Sequence, residues 1–404
     1  MKIQELRVRG FRSLHDVAWQ PGDLNIVIGP NASGKSNLLR VLELLSISAQ
    51  GGLGKHIQRE GGIEPLLWNG SVDSIHLELQ FRQPDRGAHP ALRAALSRWE
   101  YRLELVRIGK TSAYRVQTEV LGDFQRVVTG EKPEPFKLLE RQQQRAVVYD
   151  ENEHQLVAPE DLVLPEETLL SMAAGPYTGN RQIPIYQQHL ATWGIYQDFH
   201  TDRDALIRQS AVARNETRLA ADGQDLVSVL HTLYQTNREF KQEVNAAMKA
   251  AFGDEFEELI FPPAAEQRIQ FGVRWRSLRQ GQSAADLSDG TLRFLFLLAV
   301  LANPVPPPLI AIDEPETGLH PSMLPIIAEY SADASARAQI IFTTHSPAFL
   351  DAFKDIRPQP TITVLDWVSG KSELRIRSGS ELEHWLQHYT LGEMYRSGEL
   401  EARE

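Results

Sequence analysis

Eight residues, Gly29-Pro30-Asn31-Ala32-Ser33-Gly34-Lys35-Ser36, carry the spacing G-x-x-x-x-G-K-[ST] of a phosphate-binding loop. Its glycines let the backbone curl so that successive N–H groups point inward, and a helix starting there adds its partial positive charge. Lys35 then reaches the β- and γ-phosphates, and the Ser36 hydroxyl ligates Mg²⁺. Asn37, in the first turn of that helix, completes this set of candidate nucleotide contacts. The chemistry implied is binding of ATP, with Mg²⁺ as cofactor.

A second group of chemical residues lies far along the chain. The apolar run Pro308 to Ile312 ends in two carboxylates, Asp313 and Glu314. An acid at such a strand end holds the Mg²⁺ shell, which suits Asp313. Glu314, the next residue, points to the other side and can orient or deprotonate an attacking water. Leu287-Ser288-Asp289-Gly290-Thr291 precedes an apolar helix, so Ser288 and the backbone at Gly290 make a candidate anion site at its N-terminus. Ser288 and Asp289 are equally good helix caps. His345 follows the apolar run Ile340 to Phe342, where it can contact a γ-phosphate.

Elements must bring these residues together. Leu24 to Ile28 reads as a buried strand entering the phosphate loop, and Asn37 to Leu45 as an amphipathic helix leaving it. Strand-like alternation marks residues 3–11, 17–19 and 75–81. Residues 99–165 read as β-hairpins, the first turning at Gly109-Lys110, and 186–260 as mainly helical. Ile269 to Arg276 reads as one strand, and the stretch after Asp351 as two strands and a short helix. The division expected is 1–90 and 263–404 as two parts of one head, with 91–262 inserted between them.

The 404 residues allow two or three units at roughly 150 residues each. Lysine and arginine number 42 against 53 acids, a net charge of −11, so contact with nucleic acid needs a local patch. Two candidates are the arginines at 203, 208, 214 and 218, and Arg274, Arg276 and Arg279 around Trp275. The absence of cysteine excludes disulfides, thiol catalysis and cysteine-ligated zinc, and suits a reducing cytoplasm. The start has no signal-peptide pattern. The longest apolar run, Phe294 to Ala302, has nine residues, too few for a membrane span.

The words RGFRSL, GPNASGKSNLL, LAADGQDLVSVL, LSDGTLRFLFLLAVL, LIAIDEPETGLHP and IIFTTHSPAFLD occur in that order. As a set the chain resembles the ABC-type ATPases of the SMC/RecF-like group, and among them the AAA ATPases related to the OLD (overcoming-lysogenisation-defect) family. The resemblance implies an α/β fold: a P-loop ATPase head of mixed sheet and flanking helices with an antiparallel β lobe. It makes Asp313 and Glu314 the Walker B pair, residues 287–291 the signature, 316–320 the D-loop and His345 the switch histidine. Arg12 of RGFRSL becomes a further nucleotide contact, and Gln83 or Gln80 the Q-loop glutamine, a metal ligand.

The signature has Asp289 where transporters carry glycine, and the interval from Ser36 to Leu287 is longer than theirs. Only 59 residues follow His345 and they hold no Asp-x-Asp, so the TOPRIM nuclease of OLD proteins is expected to be absent. What the resemblance implies is an Mg²⁺-dependent, ATP-hydrolysing switch in phage defence or DNA maintenance. Its ATP sites are shared between subunits of a homodimer or larger oligomer, and it works through a separate effector protein. The alternatives are a transporter's ATP-binding subunit and a scaffold that binds ATP without hydrolysing it.

Overall fold

The computed structural model describes residues 1–82, 98–128, 134–159, 163–175, 179–377 and 380–402. Contacts sort the chain into two units along other lines than the sequence division at 90 and 262. One unit comprises 1–22, 29–193 and 363–376; the other comprises 23–28, 194–362 and 377–404. The reason lies in strand pairing. The hairpins expected to form an insert continue, strand by strand, a sheet that begins at the N-terminus.

In the first unit that sheet has eight strands in the order β2-β1-β4-β5-β6-β7-β8-β9. β1 (Lys2–Phe11) buries Leu6 and Val8 and exposes Arg7 and Arg9, the alternation of a half-buried antiparallel strand. Leu6 pairs with Trp19 of β2 (Leu14–Trp19), and Val8 with Leu77 of β4 (Ser74–Arg82). Leu77 in turn faces Leu103 of β5 (Arg98–Arg107). The sheet continues through β6 (Tyr114–Val128), β7 (Glu134–Gln142), β8 (Arg145–Asp150) and β9 (Gln155–Val157). A buried carboxylate ties it to a helix: Glu119 accepts from Tyr101 Oη and from the N–H groups of Leu169 and Leu170. Those two residues open α3 (Leu169–Ala173), so Glu119 satisfies donors that the helix start leaves over. The unit also holds α1 (Lys35–Ala49), α2 (Leu53–Arg59), α4 (Gln182–Ala191), and the hairpin of β18 (Thr361–Val368) and β19 (Lys371–Arg377).

The second unit is organised by parallel strands. β10 (Gly194–Tyr196), β16 (Leu309–Asp313), β17 (Gln339–Thr343) and β3 (Leu24–Ile28) lie side by side in that order. β17 and β3 are buried along their whole length, as expected of a strand covered on both faces. Register aligns their carboxyl ends: Asp313 faces Thr343, and Thr343 faces Val27. α8 (Leu324–Ser335) connects β16 to β17. α7 (Asp289–Leu301) is apolar nearly all round and buried from Thr291 to Leu301 except at Arg293. Around them stand α5 (Leu226–Thr236), α6 (Arg238–Phe252), α9 (Pro347–Asp351), α10 (Ser380–Trp385) and α11 (Leu391–Arg396).

Two local expectations need correction. Residues 186–260 are not helical throughout: between α4 and the consecutive α5 and α6 lie β10 and then 197–225, which holds only one short turn of 3₁₀ helix and β11 (Ala211–Val212). The strand expected over 269–276 is broken into β13 (Arg268–Ile269) and β14 (Gly272–Trp275), because Gln270 and Phe271 bond elsewhere, to Pro262 and Ala284. β14 instead lies between β12 (Phe256–Ile260) and β15 (Gln282–Ser283). Among the described residues, no helix is long and apolar enough to cross a membrane.

Candidate nucleotide site

The phosphate loop leaves β3 at the edge where β16 and β17 also end. Thr344 N–H donates to the Val27 carbonyl at 3.1 Å, and the loop's Gly29 stands two residues beyond Val27 in the chain. Such carboxyl ends of parallel strands are where open α/β sheets bind ligands. Three loop positions have left-handed backbone, Gly29 (φ 145°), Ala32 (φ 63°) and Gly34 (φ 107°). A Cβ at Gly29 would strike the Leu365 carbonyl, and one at Gly34 the hydroxyls of Ser372 and Ser13, so both closures demand glycine. Gly34 begins α1 with no side-chain cap, which leaves first-turn N–H groups for an anion.

The loop's side chains fit a polyphosphate. Lys35 is buried, and its ammonium donates to the carbonyls of Gly29 (2.8 Å) and Pro30 (3.1 Å) inside the loop. The buried Ser33 hydroxyl has no hydrogen-bond partner, an orphan that a ligand oxygen would satisfy. Ser36, Asn31, Ala32 and Pro30 are exposed. Asn37 donates to Ser13 Oγ at 2.8 Å. Ser372 Oγ donates to the Ser33 carbonyl at 2.6 Å and is hydrogen-bonded to the Ser13 hydroxyl at 2.7 Å. Ser13 and Ser372 thus brace the loop from two hairpins, a role that no motif spacing signals.

Arg12 takes a left-handed conformation (φ 46°) and pairs its guanidinium with Glu60. Burial, with the Arg40 charge nearby, lowers its pKa against the pull of Glu60. Gln83 lies outside the described residues. Gln80, the other candidate, is buried in β4.

The carboxylate group sits on the second unit. Asp313, the last residue of β16, accepts a hydrogen bond from Thr343 Oγ1. Glu314 leaves the strand at φ 45°, a strained conformation for a side-chain-bearing residue, held by its N–H donating to the Thr343 carbonyl at 3.1 Å. That turn sets the Glu314 carboxylate between His345 Nε2 (3.7 Å) and Thr317 Oγ1 (3.4 Å). Glu316 is half-buried, accepts from Thr344 Oγ1, and leaves its enclosed Oε2 without a partner. Burial, reinforced by the neighbouring Glu314 charge, pushes its carboxyl up to about 7. Among the described residues no three His, Cys, Asp or Glu side chains form a metal cage. That suits Mg²⁺, which takes one or two protein ligands alongside phosphate oxygens.

At the signature, Ser288 is the N-cap of α7, its Oγ accepting from Thr291 N–H at 3.1 Å. The cap reading therefore holds, and it leaves Ser288 exposed at the helix start. A Cβ at Gly290 would stand 2.6 Å from the Gly318 carbonyl oxygen, so α7 packs on the 316–320 loop through a glycine.

Of the arginines in the two expected patches, all but Arg208 are exposed, and several of them have partners within the chain. Arg208 is turned onto the signature loop, Arg214 pairs with Glu216, Arg218 donates to the Val305 carbonyl, and Arg274 pairs with Glu258 at 2.8 Å. Arg203, Arg276 and Arg279 are exposed as well.

Two family models match the chain. "AAA ATPase domain" covers residues 1–61, and "AAA domain, putative AbiEii toxin, Type IV TA system" covers 186–351. No curated protein matches. Among solved structures, the Smc head bound to the C-winged helix domain of ScpA is similar at 15% identity and TM-score 0.57, over 95% of this chain and 100% of the other. A Smc head domain with an extended coiled coil bound to the C-terminal domain of ScpA, derived from Pyrococcus furiosus, is similar at 13% identity and TM-score 0.55. There the cover is 95% of this chain and 98% of the other.

Proposed function

We propose that this chain, an ABC/SMC-like P-loop ATPase by its family models and head fold, hydrolyses ATP as a switch that closes two chains on each other. The observation that carries the reading is the common end of β3, β16 and β17. One register sets Val27, Asp313 and Thr343 level, and the phosphate loop begins just past Val27. Loop N–H groups and Lys35 bind the phosphates of ATP; Asn31, Ala32 and Asn37 line its approach. Ser36 and Asp313 are the ligands for Mg²⁺, which neutralises developing charge on the phosphates when bound. Glu314 takes the proton of the attacking water, and His345, 3.7 Å from that carboxylate, orients it toward the γ-phosphate.

Ser288 and the Gly290 N–H serve the nucleotide of a second chain. They head a buried thirteen-residue helix with an exposed N-cap, a suitable seat for an anion. A separate protein then reads the closed state. Support for such a partner comes from the Smc head solved with ScpA, and support for a defence setting from the matched model's description. Phosphate release is the first test. The native chain should release phosphate from ATP only with Mg²⁺, and Lys35→Ala should abolish both release and ATP binding. Release that survives Lys35→Ala would remove the phosphate loop from the reaction.

A further inference from the structure

The LAADGQDL word serves no step of nucleotide binding, yet it leads to the signature through one arginine. Gly223, at φ +64°, makes a turn in which a Cβ would strike the rings of Phe199 and Phe296, at 2.6 and 2.9 Å. Beside it Gln224 accepts from Leu206 N–H at 2.9 Å and donates to the His200 carbonyl at 3.1 Å. Phe199 stacks on Phe296 of α7, ring centroids 4.1 Å apart. The segment is pinned along its length, and Arg208 stands at its end.

Arg208 spends its donors on the loop that precedes α7. Nη1 donates to the carbonyls of Ala284 (3.0 Å), Ala285 (3.2 Å) and Leu287 (2.8 Å), and Nη2 to the Asp289 carboxylate at 2.5 Å. Nε donates back to the Thr201 carbonyl at 2.8 Å. The side chain is only 9% exposed. A desolvated guanidinium is costly unless its donors are met, and here they are met by a loop with no strand or helix of its own. Fixing those carbonyls fixes the direction from which Ser288 enters the helix. Asp289, the residue that departs from the transporter signature, supplies the opposite charge.

We infer that Arg208 is a positioning residue of the signature. With Asp289 it holds residues 284–289 in the form in which Ser288 and the Gly290 N–H meet a phosphate bound by a second chain. Arg208 itself touches no nucleotide. The inference rests on the shared-site reading, and its test separates the two.

In a Glu314→Gln background, ATP-driven association is followed by light scattering. ATP affinity is titrated at concentrations too low for association, and backbone exchange is followed over 284–291. Arg208→Ala and Asp289→Asn should each weaken association about tenfold or more, the loss of one charge-assisted contact set. Single-chain ATP affinity should stay within about twofold, as for an independent site. Exchange over 284–291 should rise in the single chain. Arg208→Lys keeps the charge but lacks the fork, and should restore little. Unchanged exchange over 284–291 in folded variants overturns the positioning role, whatever association does. If Arg208→Ala does not fold, the exposed Asp289 decides: normal association and exchange in Asp289→Asn overturn it. If Glu314→Gln itself fails to associate with ATP while exchange responds as stated, the shared-site reading falls and the hold of Arg208 on the loop stands.

Discussion

Glu314 and Glu316 stand two residues apart in environments that separate their chemistry. Glu314 is half exposed beside His345 and Thr317, while Glu316, also of intermediate exposure, has one oxygen enclosed and unpartnered. Burial first, then the Glu314 charge, raises the Glu316 carboxyl from 4.5 to about 7. The folded chain therefore keeps this proton after the unfolded chain has lost it, and stability falls as pH rises from about 4.5 to about 7. Part of that window lies above pH 6. Between pH 6 and pH 8 the native protein should lose about 1 kcal/mol more stability than Glu316→Gln in denaturant unfolding. Identical pH slopes would show that Glu316 ionises normally. The spacing of DEPET places three acids in a row of turns but cannot say which has an enclosed oxygen, because that depends on Thr344, one strand away. The phosphate loop was legible for the opposite reason: glycine closures and a lysine within eight residues are a local requirement, and the structure meets it locally.

At the scale of elements, contact between α7 and the 316–320 loop turns on one atom. Alanine at Gly290 would bring its Cβ to 2.6 Å from the Gly318 carbonyl oxygen. Helix propensity alone favours alanine by about 1 kcal/mol. Overpacking costs about 1–3 kcal/mol, so Gly290→Ala should show a net loss of about 1 kcal/mol in thermal or denaturant unfolding. Gly175→Ala, which would meet nothing within 4 Å, serves as the control. Stabilisation by Gly290→Ala would mean that the two segments do not pack as described. Strands with one buried face announced themselves by alternation, as in β1, and so did the apolar α7. Segment 197–225 did not: its order comes from Gly223, Gln224 and Phe199 meeting partners distant in sequence, which leaves no period to read.

At the scale of the molecule, a net charge of −11 disfavours a wholesale basic surface, and the account rests on protein–protein closure driven by ATP. The resemblance read from six sequence words anticipated the head fold, because those words are the strand ends and helix starts that the fold must align. It anchored no motif in residues 99–200; neither family model covers 62–185, where the sheet continues from β4 by pairing alone. The measurement that bears most directly on the central claim is the particle mass of Glu314→Gln with ATP and Mg²⁺. The substitution keeps the shape of the side chain and removes the proton acceptor, while Lys35, Ser36 and Asp313 are untouched. Turnover should fall by about two to four orders of magnitude. The stalled chains should accumulate as an ATP-dependent particle of at least twice the single-chain mass, and Ser288→Arg in the same background should abolish it. Hydrolysis near the native rate, or a stalled chain that stays single with Ser288 intact, would contradict the account.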